Sequence, residues 1–267
     1  MKCLVLSLSL LLCFQTAQAL EAKQFHTYIE HIRDNQLDAV ESYLEQNKAT
    51  AKTDPDYTVI FLNYHFGKGR TVRTIVAQGE AQSGDLELTK QDDPGVKGFI
   101  REEVSLDKIT ILKALHTAQN NLKLFPNQLD IHFGIVTIAQ NIGAYSVMAD
   151  QLISMLKTSK EIDNKWQWGK VGSMEGDPEE FMIQGLLPRT AMLFRLESEE
   201  GDRLFINVSE ALIQYYPNRV YGYANLGSLY GATKEYDKAR KYYEKALEID
   251  PSDEVVQQNL SYLMNIK

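Results

Sequence analysis

Cysteine is nearly absent: the 267 residues hold two, Cys3 and Cys13, both close to the start of the chain. Positive charge is short as well, with 28 lysines and arginines against 36 aspartates and glutamates, a formal net charge of −8. Phosphate backbones are gripped by basic faces, so nucleic acid is not an expected partner. Long apolar runs are missing beyond Phe14, and nothing later approaches the roughly 20 apolar residues of a membrane span. Motifs of catalysis are missing too. There is no Gly-x-Ser-x-Gly elbow, no helix with zinc-spaced histidines and no serine with a visible base partner, so the chain does not read as an enzyme. What remains, 44% apolar, 24% charged and 10% aromatic, is the composition of an ordinary folded protein.

The apolar run that does occur has a specific form. Lys2 precedes Leu4 to Phe14, and Ala17-Gln18-Ala19 follows in small residues. This order predicts a secretory signal over residues 1–19, cleaved after Ala19. The run is about half of what an anchor needs. An exported protein is expected, periplasmic first and secreted as the alternative. Cleavage removes both cysteines, so the mature chain, 20–267, can form no disulfide and must be stabilised by packing. Thiol-based zinc sites and thiol nucleophiles go with them.

The C-terminal third carries a helical period. Tyr223, Leu226 and Tyr230 recur at i, i+3, i+7, and Ala239, Tyr243, Ala246 and Leu247 form a second such face after a Lys234-Glu235 turn. Small residues at Gly227 and Ala239 suit a close approach of two antiparallel helices, and Pro251 stops the second. Counted from Val220 as position 1, Tyr223, Leu226, Gly227, Tyr230, Tyr236, Ala239, Tyr243, Ala246 and Pro251 fall at positions 4, 7, 8, 11, 17, 20, 24, 27 and 32. The segment 220–253 thereby resembles the tetratricopeptide repeat family. That resemblance implies a mainly α fold, an antiparallel helix-pair solenoid, in which no unit is stable without neighbours.

With only seven prolines, each one punctuates. Pro55, Pro126, Pro217 and Pro251 each separate two apolar-periodic stretches, at spacings of 71, 91 and 34 residues. These read as two repeats plus three, two repeats plus 23, and one repeat. The expected units are a helix pair over 22–52; a pair over 56–66 and 106–124; a third unit over 128–161; a fourth pair over 189–196 and 204–215; and the repeat at 220–253. A capping helix over 253–265 closes the array.

Two segments break the period. Residues 67–105 show strand character around Val72–Val76, Leu86–Leu88 and Phe99–Ile100. Asp92-Asp93-Pro94-Gly95 is a turn signal between the last two runs, so a small β-hairpin is expected there, with room for a third strand. Residues 163–180 hold both tryptophans and read as an irregular loop. Within it, Asp177-Pro178 followed by Glu180 has the order of a helix start rather than of a calcium loop.

Candidate site residues follow from the resemblance. In the repeat family the first helices line a groove for extended or helical peptides. The corresponding positions here are Tyr221, Ala224, Ser228, Gly231 and Ala232, with Asn225 alongside, and Asp130, Phe133, Thr137, Gln140 and Asn141 in the third unit. The family's carboxylate clamp is not matched, because Asn225 has no groove lysine beside it. The expected function is that of a non-catalytic exported scaffold binding a protein or peptide through this groove or the β insertion. Two alternatives are a carbohydrate- or envelope-component-binding module using Trp166 and Trp168, whose indoles suit stacking, and an enzyme with a site under the insertion. No cofactor or metal is expected. The histidines at 26, 31, 65, 116 and 132 lack ligand spacing, and Gly67-Lys68-Gly69-Arg70-Thr71 lacks the form of a phosphate loop.

Overall fold

The computed structural model describes residues 20–78, 80–90, 93–170 and 174–265. The expected signal at 1–19, Asp92 of the expected turn and residues 171–173 of the tryptophan loop lie outside the described residues. The elements run α1 (Ala22–Arg33), α2 (Leu37–Gln46), a 3-10 turn (Lys48–Lys52), α3 (Pro55–Lys68), β1 (Arg70–Gln78), β2 (Leu86–Lys90), β3 (Asp93–Leu106), α4 (Lys108–Leu122), α5 (Leu129–Asn141), α6 (Tyr145–Glu161), α7 (Pro178–Phe194), α8 (Glu199–Tyr215), α9 (Tyr221–Ala232), α10 (Tyr236–Ile249) and α11 (Glu254–Met264). The fold is mainly α, a solenoid of helix pairs with a small antiparallel sheet.

Helix starts are written in short polar side chains that accept from otherwise unpaired amides. Asp54 accepts from the Asp56 amide at 3.0 Å, Asp107 from Thr110 at 3.1 Å and Asp177 from Glu180 at 2.9 Å. Ser198 and Asp253 do the same for α8 and α11. Pro55 and Pro178 stand in first turns, where a missing N–H costs nothing. The ends of the first helices share another device. Asn35, Gly143, Glu197 and Lys234 take the left-handed conformation, with φ of 58°, 71°, 47° and 64°. Each lies in the turn between α1 and α2, α5 and α6, α7 and α8, or α9 and α10. A single left-handed residue ends a helix and reverses the chain, so one backbone solution recurs in four pairs although glycine supplies it only once.

Packing follows the small residues. A Cβ on Gly227 would lie 2.6 Å from the Tyr243 ring, which places α9 flush against α10. Ala239 is fully buried in the same contact, its Cβ facing Gly231. Gly222 lets α9 cross α8, since a Cβ there would stand 2.6 Å from the Ser209 carbonyl oxygen. The largest apolar cluster runs from α3 to α9 and includes Ile111, Leu115, Ile135, Leu152 and Leu186. Each such side chain, fully buried, contributes about 1.5–3 kcal/mol. A second cluster gathers α1 to α3 around Phe25, Val40 and Ile60, and a third joins α10 to α11.

The insertion differs from a hairpin. It is a three-stranded sheet of order β1-β3-β2, with β3 in the centre and antiparallel to both neighbours. Asp93, Pro94 and Gly95 belong to β3 itself rather than to a turn. Cross-strand partners share a face. The pairs Val72–Val104, Val76–Ile100 and Leu86–Ile100 therefore gather the apolar residues on one side, where Val76 and Leu86 remain 70% and 67% exposed.

The fourth pair also differs from expectation. Its first helix, α7, starts at Pro178 rather than Arg189, because Pro188 sits inside a continuous helix. A proline there removes the amide that would bond the Gln184 carbonyl, which made 189 look like a beginning. The tryptophan loop is correspondingly shorter, ending at Asp177.

Candidate functional site

The first helices α3, α5 and α7 stand side by side, and between them opens a cavity of about 690 Å³. Its walls are Asn63 and Phe66 from α3; Asp130, Phe133, Gly134, Thr137, Ile138 and Asn141 from α5; Trp168 from the loop; and Phe181, Gln184, Gly185 and Arg189 from α7. Residues 130, 134, 137 and 141 recur at helical spacing on one face of α5. Gly185 makes room for the aromatic wall, because a Cβ there would fall 2.4 Å from the Phe133 ring.

The tryptophan loop is held to the start of α5 by an isolated parallel bridge between Gln128 and Gln167. The Leu129 amide donates to the Gln167 carbonyl at 2.9 Å, and the Gln167 amide to Asn127 at 2.8 Å. Alternate residues of an extended segment point to opposite sides, so the two indoles part company. Trp166 is buried, edge-on to the His132 ring at 5.3 Å. Trp168 meets Phe133 at 6.2 Å and Phe181 at 5.2 Å on the cavity side. The two indoles therefore form no shared surface: Trp166 fills the junction, and Trp168 faces the cavity.

His132 is buried and neutral by design. Its Nε2 donates to the Pro126 carbonyl at 3.0 Å, which leaves Nδ1 to accept from the Gln151 amide at 2.7 Å. Burial pushes its pKa down to about 4. Among the described residues no cluster of histidine and carboxylate side chains has the makings of a metal site.

Charge in the cavity lies at two places. Asp130 opens α5, and burial raises its carboxyl to about 6, with the amides of Ile131, Asp130 and Gly169 pulling the other way. Its Oδ1 is buried and has no partner. Gly169 lets the chain pass close to this carboxylate, since a Cβ would stand 2.4 Å from Oδ2. Lys170, next along, pairs with Asp56 at 2.5 Å and not with Asp130. About 10 Å away, two helical turns further along α5, Arg189 donates to the Thr137 hydroxyl at 3.2 Å and to the Gly185 carbonyl at 2.7 Å. Its guanidinium lies 5.1 Å from the centre of the Phe133 ring, and Nε is buried without a partner. The cavity is thus apolar and aromatic in the middle, acidic at one end and basic at the other.

Of the sequence-derived groove positions, Asp130, Phe133, Thr137 and Asn141 line this cavity, whereas Gln140 does not. The α9 residues stand elsewhere. Tyr221 packs against the main apolar cluster. Ser228 donates to the Ala224 carbonyl and accepts from the Tyr243 hydroxyl at 3.1 Å, so it serves the α9–α10 contact. Asn225 Nδ2 is buried without a partner. The structure thus brings the α5 positions to a cavity shared with α3 and α7 and leaves the α9 positions in helix packing. Phe181 lies in the part of α7 that the sequence reading leaves in the loop, where Asp177-Pro178 is the signal for an earlier start, and Phe66 and Arg189 reach the cavity only through the stacking of α3 and α7 on α5.

The fold defines the class of protein, a helix-pair solenoid with a small antiparallel sheet. More particularly, residues 220–253 match the family model of the tetratricopeptide repeat. A crystal structure of MamA aligns at 17% identity and a TM-score of 0.33, over 58% of this chain and 78% of that one. A second MamA structure aligns at 17% identity and 0.33, over 56% and 69%. No curated protein matches the chain.

Proposed function

We propose that the protein is an exported, non-catalytic scaffold that takes an extended segment of a partner protein across α3, α5 and α7. One observation carries the reading. The cavity between these helices combines Phe66, Phe133, Trp168 and Phe181 with a carboxylate and a guanidinium about two helical turns apart. Sites of this kind bind an apolar side chain in the middle and orient it by a few polar groups. The segment that fits places an aromatic or branched apolar side chain in the cavity, a basic group towards Asp130 and an acidic group towards Arg189. The cationic group answers Asp130 Oδ1, which lacks a donor in the free protein.

The export signal at 1–19 supports a periplasmic site of action. A peptide display panel against the chain beginning at Leu20, with Trp168 fluorescence as readout in a Trp166→Phe background, tests the binding. Enrichment of basic–aromatic–acidic segments, lost on Phe133→Lys and weakened by Arg189→Gln, is the expected outcome. Binding indifferent to both substitutions refutes the groove. Glycan arrays with the same fluorescence readout test the carbohydrate alternative, which has only Trp168 to offer.

A further inference from the structure

We infer that Asp54 is the seat for the amino terminus created when the export signal is cut after Ala19, so that processing completes the N-terminal fold. This rests on the export reading above. Chain ends ordinarily fray unless something ties them down, yet Leu20 is held three ways. Its backbone nitrogen donates to Asp54 Oδ2 at 3.2 Å. Its carbonyl accepts from Lys170 Nζ. Its side chain is 8% exposed and packs in the cluster of Phe25, Tyr43 and Tyr57.

The charges around it do not balance without the cut. Asp54 and Asp56 are buried, and Asp130 lies behind Gly169 within reach of Asp56. Among the described residues, Lys170 is the cation that pairs with this group, through Asp56. Three carboxylates thus lie close together with one paired ammonium, that on Asp56. Hydrolysis of the Ala19–Leu20 amide by a peptidase adds water across the bond. Ala19 leaves with the new carboxylate, and the Leu20 nitrogen, retaining its place, takes up a proton. The bond to Asp54, until then an amide donating to a carboxylate, becomes an ammonium–carboxylate ion pair, and a second cation joins the group.

The consequence travels. Asp54 spends its other oxygen, Oδ1, on the first turn of α3, accepting from the Asp56 amide at 3.0 Å. That helix brings Asn63 and Phe66 to the cavity. Lys170, which holds the Leu20 carbonyl, is two residues from Trp168. The new terminus is therefore joined at both of its backbone groups to elements that shape the groove.

The test uses the chain released from a cleavable fusion so that it begins at Leu20, a second chain that begins at Ala19, and Asp54→Asn in each. At neutral pH an acylating reagent should modify the Leu20 amine at least about tenfold more slowly than the Ala19 amine, because an ion-paired ammonium resists deprotonation. The Leu20 chain should also melt several degrees higher, and Asp54→Asn should abolish both differences. Equal labelling rates and melting points in the two unsubstituted chains overturn the inference, and that comparison needs no substitution to fold. N-terminal sequencing of the exported protein separates the two readings. Leu20 as first residue with a fast-labelling amine leaves export standing and removes the seat, as does cleavage at another bond, while a chain that still begins at Met1 removes both.

Discussion

Replacing Asp130 with asparagine tests whether the cavity holds a carboxylate kept at a cost. A carboxyl raised from 3.8 to about 6 in the folded protein keeps a proton that the unfolded chain gives up between those values. Stability is lost as pH rises through that window, and the whole cost, about 3 kcal/mol at 1.36 kcal/mol per unit, is present above pH 6. His132 has the opposite sign. Lowered from 6.5 to about 4, it stays neutral while the unfolded chain takes up a proton, so stability is lost as pH falls from 6.5 to 4, again by about 3 kcal/mol.

The two contributions oppose one another over nearly the same range, so neither shows in the wild-type profile. Asp130→Asn retains an acceptor for the Gly169 amide and removes the charge. The variant should be more stable than wild type by up to about 3 kcal/mol at pH 7.5, with the gain shrinking to nothing near pH 4. Urea unfolding at half-unit steps from pH 4 to 8 measures this, provided the transition is two-state. Carboxylates beyond the reach of Asp130 titrate alike in both proteins and cancel in the difference. A variant less stable than wild type at pH 7.5, or a difference constant across the range, refutes the argument. The same substitution should weaken basic segments in the peptide panel, the usual exchange of function for stability at a binding site.

The two tryptophans should separate cleanly. Trp166→Ala empties a buried site beside His132 and should cost about 3–5 kcal/mol in chemical denaturation, whereas Trp168→Ala should lower peptide affinity with a smaller loss of stability; similar stability losses in both would contradict the opposed placement. Ala239→Leu should destabilise by about 1–3 kcal/mol through overpacking, and Gly227→Ala should also destabilise because the new methyl meets the Tyr243 ring; a neutral result for both in thermal melts would dispute the α9–α10 contact. Replacing 71–104 with a short glycine linker should leave a cooperative helical protein, since Arg70 and Leu106 are already strand partners; loss of the helical circular dichroism signal would show that the sheet is part of the core. If the exposed face of that sheet binds a partner of its own, Val76→Lys with Leu86→Lys should remove that partner and spare groove peptides.

How far the sequence speaks depends on whether one residue or one geometry carries the information. At 220–253 the close helix approach can be made only by small residues, so Gly227 and Ala239 had to appear, and the period was legible. The other pairs reach the same reversal through the backbone alone. A left-handed conformation is open to Asn35, Glu197 and Lys234 at a modest energetic cost as well as to Gly143, so that common feature leaves no common letter. Proline misled in the same way: Pro55 and Pro178 stand in first turns while Pro188 lies inside α7, and only the neighbouring contacts decide which role a proline takes. The cavity is harder still, because it belongs to no segment. Asp130, Phe133, Thr137 and Asn141 could be named from one helix. Their partners Phe66, Phe181 and Arg189 are set by how α3 and α7 stack against it, with Gly185 fixing the distance. The charge pattern that gives the site its polarity, one carboxylate oxygen without a donor and one guanidinium over an aromatic ring, arises in that stacking and in the separation of Trp166 from Trp168 by one extended residue. Repeat proteins write their helices locally and their binding surfaces between helices, so a sequence that declares the first can stay silent about the second.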